Sequence, residues 1–422
     1  MNKIKLIYNK YKKIIKNIWW LYLVQGVNYI FPLLTIPYLI RVVGTDYYGF
    51  IAIMQAIMNY LNVIVDYGFN LTSTRKIALN KNNKEYVNKE FNNVISIKIL
   101  LMILCFILLC IFIFVTQDNN NLRWFYILSY SIVIGNTLLP IFFFRGMEDM
   151  VYISIINGIS KFFYLILLLI FVQNINDFVY VGLVQGTSAL LGSIISLYFL
   201  KKKYKLIINI QFKIKNIIMY LKEGSPVFIS NCCGNIYVQG ATIIVGIFAT
   251  SSQTAYFSLA NKIASTASSL FQPFVGAIYP DLCQKYKNDK KEFISFLYTL
   301  FKITICIIII CILIMHIGSP YMSYILKGDY DEELILAIKY ISFAMAGTML
   351  NIFLHPFILA IGEFKAVRNI YFKVSIIFLL LSPILSDFFN YIGMMVSLMI
   401  VEYSIVISYL VILKRYLKIN KG

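Results

Sequence analysis

Lys161, Lys262, Lys373 and Glu402 each lie inside an apolar run long enough to cross a bilayer, and Lys98 and Lys302 open two further runs. An ionised side chain at mid-bilayer costs at least about 2.5–3.5 kcal/mol on insertion scales, and is tolerated where it faces protein or a water-filled passage. Several ammonium groups without matching carboxylates favour an anionic cargo, such as a diphosphate head group. Lys262, Lys161, Lys98, Lys302 and Lys373 are therefore the candidates for contact with phosphate. Lys98 and Lys302 are close enough to the membrane edge to serve equally as interfacial anchors that snorkel. Glu402 is the one acidic residue deep in a run. Two roles fit it: pairing with Lys373, or taking up a proton during a transport cycle.

Other polar residues stand at the ends of runs. Arg41 and Asp46 fall at the outer end of the first and suit an outer gate. Asp66, at the inner end of the second, is a gating or coupling candidate and is placed to partner Arg75. His316 and His355 read as hydrogen-bonded packing residues. Pro32, Pro37 and Pro226 interrupt spans at equivalent places in the two halves of the chain. Each removes a backbone hydrogen bond, so these three are the hinge candidates. No Walker loop, GxSxG or HExxH motif occurs, nor an acidic metal cluster, so no enzyme activity, cofactor or metal is expected. The seven cysteines form no CxxC pair and sit mostly in apolar runs, as small packing residues do.

The elements that position these residues follow from composition. Of 422 residues, 60% are hydrophobic and 14% charged, against about 25% charged in a soluble domain. A crossing needs about 20 mostly apolar residues. Twelve such runs occur, at 18–40, 48–68, 94–115, 123–144, 151–172, 178–200, 225–248, 254–279, 298–318, 334–360, 367–386 and 389–413. The expected fold is an all-α integral membrane protein of about twelve transmembrane helices.

The net charge of +19 would point to nucleic acid in a soluble protein. Here the basic residues gather in alternate connections: the six lysines of 1–17, Arg75 to Lys89, Lys201 to Lys222, Lys285 to Lys291, and Lys414 to Lys421. The intervening connections hold only Arg41, Arg123 and Lys327, and the longest of them, 317–333, is acidic. This is the positive-inside pattern, and it predicts both termini in the cytoplasm and no nucleic-acid partner.

The basic linker 201–224 divides the chain into an N-terminal lobe, 1–200, and a C-terminal lobe, 225–422. Pro140 with Gly146 matches Pro356 with Gly362, and Lys98 matches Lys302. Together they predict two six-helix lobes in parallel orientation around a central cavity.

Several blocks carry a family resemblance. FPLLTIPYLIRVVGTDYYGF (31–50), with Pro32, Pro37, Arg41, Gly44 and Gly49, resembles the opening signature of polysaccharide flippases of the Wzx type. DYGFNLTSTRKIA (66–78) is similar to the family's next block, and FFFRGMEDM (142–150) to its aromatic–Gly–x–Glu block, with Arg145 where the family often has Gln. YFSLANKIAST (256–266) and QPFVGAIYPDL (272–282) resemble the blocks around its eighth helix.

The resemblance implies the multidrug/oligosaccharidyl-lipid/polysaccharide exporter fold in the bacterial inner membrane. It implies translocation of undecaprenyl-diphosphate-linked oligosaccharide repeat units from the cytoplasmic to the periplasmic leaflet, for O-antigen or capsule assembly. The polymerase and chain-length regulator of the same pathway would be further partners. Lys262 lies in a matching block and is the first choice for a head-group contact. Two alternatives stay open: a multidrug-type exporter of the same fold, which would ordinarily carry acidic cavity residues, and a membrane polysaccharide polymerase, which would carry a large outer loop.

Overall fold

The computed structural model describes residues 2–116, 119–272, 282, 285–286 and 290–419, and no β-strand occurs among them. The all-α membrane architecture read from composition is the observed one. The helices are α1 (Asn2–Asp66), α2 (Phe69–Leu79), α3 (Lys84–Thr116), α4 (Asn120–Ser129), α5 (Ser131–Leu138), α6 (Ile141–Gly146), α7 (Met150–Phe171), α8 (Phe178–Phe199), α9 (Ile214–Val238), α10 (Gly240–Phe248), α11 (Ser251–Ser269), α12 (Lys290–Lys327), α13 (Glu332–Ile361) and α14 (Phe364–Ile419).

Among the described residues, eight stretches are long and apolar enough to cross a membrane, and a ninth is formed if α9 and α10, bent by 41° at their junction, count as one span. Two of the eight run for 50 and 52 residues, more than twice one crossing. Each is divided internally. Gly44, at φ 80° and ψ 167°, breaks α1, and Asn390, at φ 51°, breaks α14. Counted as pairs, these bring the crossings to eleven, in agreement with the expected order. The remaining expected run, 254–279, begins in α11, and its last residues lie outside the described ones.

Helix ends follow local chemistry. Asn119 accepts a hydrogen bond from the Asn121 amide at 2.9 Å and caps α4. Thr250 and Gln253 form a capping box at the start of α11. Gly362, at φ 91°, ends α13 in a left-handed turn.

The chain forms two compact units. The first comprises 1–44 and 54–232, and the second 45–53 and 233–422. In the first, α8 packs chiefly on α5, α7 and α4. Gly182 and Gly186 bring its backbone against Ser129 and Ser131, where a Cβ would collide. Small residues four apart allow this approach, which drives helix association where lipid removes any hydrophobic advantage. An aromatic core joins α2, α3 and α6, with Phe69, Phe91, Phe142, Phe143 and Phe144 each at most 1% exposed. In the second unit, α13 packs on α14, α12 and α11, and α10 on α14. Pro32, Pro37 and Pro226 lie within helical stretches, the first two ahead of the break at Gly44. The bend near Pro226 falls further along, between Val238 and Gly240.

Candidate functional site

Tyr67 and Gly68, both at positive φ, separate the end of α1 from α2. Asp66, the last residue of α1, meets α3. The Lys98 ammonium lies 3.7 Å from Asp66 Oδ1, is only 4% exposed, and sits 6.0 Å above the Phe142 ring. Asp66 therefore pairs with Lys98, not with Arg75, whose side chain is exposed. The sequence placed Arg75 nearer along the chain, but α2 turns it outward. Lys161, on α7, is half-buried and engaged with a neighbouring group.

In the second unit, Lys262 on α11, Lys302 on α12 and Lys373 on α14 lie on exposed helix faces, with no ion-pair partner among the described residues. The Lys262 carbonyl accepts from Ser265 at 3.1 Å and Thr266 at 2.7 Å, which fixes the local backbone.

Glu402, 6% exposed, does not pair with Lys373. Its Oε2 accepts from Asn351 Nδ2 at 3.1 Å, and Thr348, whose hydroxyl donates to the Ala344 carbonyl at 3.2 Å, lies close by. The Tyr371 hydroxyl donates to Asn351 Oδ1 at 3.3 Å. Tyr371 and Tyr409 are hydrogen-bonded to each other, and His355 Nδ1 lies 2.9 Å from the Tyr409 hydroxyl. A polar chain thus runs from Glu402 through α13 and α14 to His355. Asn351, Thr348, Tyr371 and Tyr409 escaped the sequence reading. Asn351 and Thr348 sit 3 residues apart in an apolar run, a spacing that puts both on one helix face, and that was the available signal.

Segment 45–53 belongs to the second unit. Ser252 donates a hydrogen bond to Asp46, and Gly49 lies on the Ser251 backbone so closely that a Cβ would clash with its carbonyl. Gly246 lies against the Ile53 side chain. Ser252 was not foreseen. Arg41 is exposed and engaged with another group.

Beyond the spans, Asp331 caps α13, accepting from the Leu334 amide at 3.1 Å and the Tyr256 hydroxyl at 2.8 Å, and pairs with Lys327. Burial alone would raise its carboxyl pKa. The hydrogen bonds from Lys327, Leu334 and Tyr256 outweigh that and hold it below the usual carboxylate range. Its stabilisation is thus fully present above the unfolded value of about 3.9 and is lost as pH falls through the lower folded value. Asp331→Ala should cost about 1 kcal/mol for the lost cap. In melting curves of the detergent-purified protein, the gap to wild type should be constant above about pH 4 and close below it.

Comparisons with known proteins bear on the family and the fold. Residues 14–286 match the family model described as polysaccharide biosynthesis protein. A protein of Shigella dysenteriae named as an O-antigen transporter is 30% identical over 93% of this chain and 98% of its own. One so named from Escherichia coli K12 is 28% identical over 92% of this chain and 93% of its own. Among solved structures, the lipid II flippase MurJ in an inward closed conformation shares the fold with a TM-score of 0.74, at 16% identity over 95% of this chain and 87% of its own. An inward-facing multidrug resistance transporter of the MATE family does so at 0.64, with 13% identity over 92% of this chain and 98% of its own.

Proposed function

The chain belongs to the family of polysaccharide biosynthesis proteins, and from that premise we propose that it is a flippase for lipid-linked oligosaccharides. The cargo is an undecaprenyl-diphosphate-linked repeat unit, moved from the cytoplasmic to the periplasmic leaflet of the bacterial inner membrane. It feeds O-antigen or capsular polysaccharide assembly, together with a polymerase and a chain-length regulator. Both termini are in the cytoplasm.

The observation that carries this reading is Lys262: a cation on an exposed face of α11, within the expected run 254–279, with no carboxylate partner among the described residues. The charge has a use if its counter-ion arrives with the cargo. At an effective dielectric of 20, an ammonium–phosphate contact at 4 Å is worth about 4 kcal/mol. Lys161 is the second contact, and Lys302 and Lys373 are the next candidates. Lys98 has the weakest claim, because Asp66 already neutralises it.

The mechanism is alternating access in two lobes of six helices. The saccharide and diphosphate enter from the cytoplasm while the polyprenyl tail stays in lipid. Arg41, Asp46 and Ser252 close the outer end, Pro32, Pro37 and Pro226 serve as hinges, and Glu402 couples the cycle to an ion gradient. A multidrug exporter of the same fold would put acidic residues where this chain has lysines.

In a strain lacking the gene and any redundant carrier, lipid-linked repeat units should build up on the cytoplasmic face and surface polysaccharide should vanish; normal polysaccharide would sink the proposal. Restoring the gene with Lys262→Ala should leave export at least about tenfold lower, a loss of about 1.4 kcal/mol, at an equal amount of protein in the membrane. Unchanged export would remove Lys262 from the site without touching the flippase reading.

A further inference from the structure

Between α8 and α9 the chain forms no helix over residues 205–213. It is nevertheless held in place. Asn88, Asn92 and Ser96 recur every 4 residues on one face of α3, and this spacing makes them a polar ladder. Asn88 Oδ1 accepts from the Ile207 amide at 3.1 Å, and Asn92 Nδ2 donates to the Ile207 carbonyl at 2.8 Å. Asn92 Oδ1 accepts from the Asn209 amide at 2.8 Å, and Ser96 Oγ from the Gln211 amide at 3.0 Å. Every second residue of the strap is thus pinned by its backbone, as along one edge of a β-strand.

The ladder satisfies the backbone and leaves the side chains outside. Ile207 is 70% exposed, Phe212 52% and Ile214 72%, with Ile208 and Ile210 also exposed. Interleaved with them are exposed Lys201, Lys202, Lys205, Lys213 and Lys215, none with a carboxylate partner among the described residues. No acidic residue occurs from Phe178 to Lys222. Lys203 stands apart, because Asp149 binds it at 2.6 Å.

A cytosolic loop would not leave this many large apolar groups in water. A membrane span would not carry lysine at this density. The strap lies along residues 88–96, which lead into and begin the apolar run 94–115 of α3, so it sits at the depth where hydrocarbon meets head groups. Alternating apolar and basic side chains at that depth match an anionic lipid surface. The apolar groups enter the acyl boundary, and the lysines reach the phosphates.

We propose that residues 201–215 form a docking strap for the anionic phospholipids of the cytoplasmic leaflet, held at the correct depth by Asn88, Asn92 and Ser96. This surface shares no residue with the cargo contacts above, and the proposal does not depend on the flippase reading.

The test uses the full chain in nanodiscs, with the native cysteines replaced by alanine and Phe212→Cys carrying an environment-sensitive fluorophore. In discs containing about 30% phosphatidylglycerol the emission should shift to the blue relative to phosphatidylcholine alone. The shift should disappear in about 0.5 M salt, where the Debye length is roughly 4 Å. With Lys201, Lys202, Lys205, Lys213 and Lys215 changed to Gln, at least about tenfold more phosphatidylglycerol should be needed for the same shift. Asn92→Leu should weaken it by freeing the strap.

Identical emission in the two lipids would overturn the proposal, as would a shift that survives the five substitutions. A shift produced equally by 1 mM inorganic diphosphate in phosphatidylcholine discs would assign the strap to a small phosphate ligand instead, and also overturn it. As an independent measure, added phosphatidylglycerol should raise the melting temperature of the otherwise native chain. That rise should be lost in the five-Gln variant and kept when Lys84, Lys89, Lys365 and Lys414 are changed to Gln; equal loss in both would count against a specific strap.

Discussion

Joining positions 46 and 252 by a disulfide, through Asp46→Cys and Ser252→Cys in a chain without native cysteines, should stop export completely, and reductant should restore it. The two side chains are already in hydrogen-bond contact, and the neighbouring Gly49 lies directly on the Ser251 backbone. A disulfide needs Cα atoms about 4.4–6.8 Å apart, which side chains in contact at a point of backbone approach bring within reach. Segment 45–53 is held to the second unit while the rest of α1 belongs to the first. In the proposed cycle the outer end opens only when this segment lets go, and a covalent link forbids that at any cargo concentration. The measurement is surface polysaccharide in the complemented deletion strain, with crosslinking scored on the same samples. Each single cysteine variant should export. Full export by the crosslinked chain would mean that the segment never has to release, and the assignment of Asp46 and Ser252 to an outer gate would be wrong.

Changing Glu402 to Gln should lower export at least about tenfold, about 1.4 kcal/mol, while leaving the melting temperature unchanged or higher. Glu402 is almost completely buried, and its hydrogen-bond partner, Asn351, is neutral. Glutamine fits the same space without the charge whose transfer from water is costly, so folding should not suffer. What is lost is the ability to change protonation state. The ionised carboxylate accepts from Asn351 Nδ2, which leaves Asn351 Oδ1 to accept from Tyr371. A protonated carboxyl gains a hydrogen to give while keeping an oxygen that accepts; where that hydrogen goes to Asn351, the amide turns its oxygen toward it and releases Tyr371. Tyr409 and His355, next along the chain, would feel that change. The dependence of export on external pH should therefore flatten in Glu402→Gln. Wild-type export and pH profile in this variant would reduce Glu402 to a packing residue.

These two sites were legible in the sequence to different degrees. Glu402 stood out because a carboxylate inside an apolar run is conspicuous from composition alone, but its expected partner was Lys373. Lys373 lies on an exposed face of α14 on the other side of the break at Asn390, while Asn351 comes from α13. Asp66 was likewise expected to pair with Arg75, 9 residues along, and pairs with Lys98, 32 residues along. Asp46 was placed at the outer end of its span, but nothing along the chain pointed to Ser252, more than 200 positions away.

The division has one physical cause. A bilayer demands that each crossing be apolar, about 20 residues long and internally hydrogen-bonded. Those demands fall on consecutive residues, so the helical architecture, the spans and the rare charges within them were determined by the sequence as read. Which way each charge faces depends on the rotation of its helix about its own axis, and packing against distant helices sets that rotation. Only the tertiary structure could decide that Lys98 is neutralised in its own unit, that Glu402 heads a chain of neutral hydrogen-bonding groups, and that Lys262 has no ion-pair partner among the described residues.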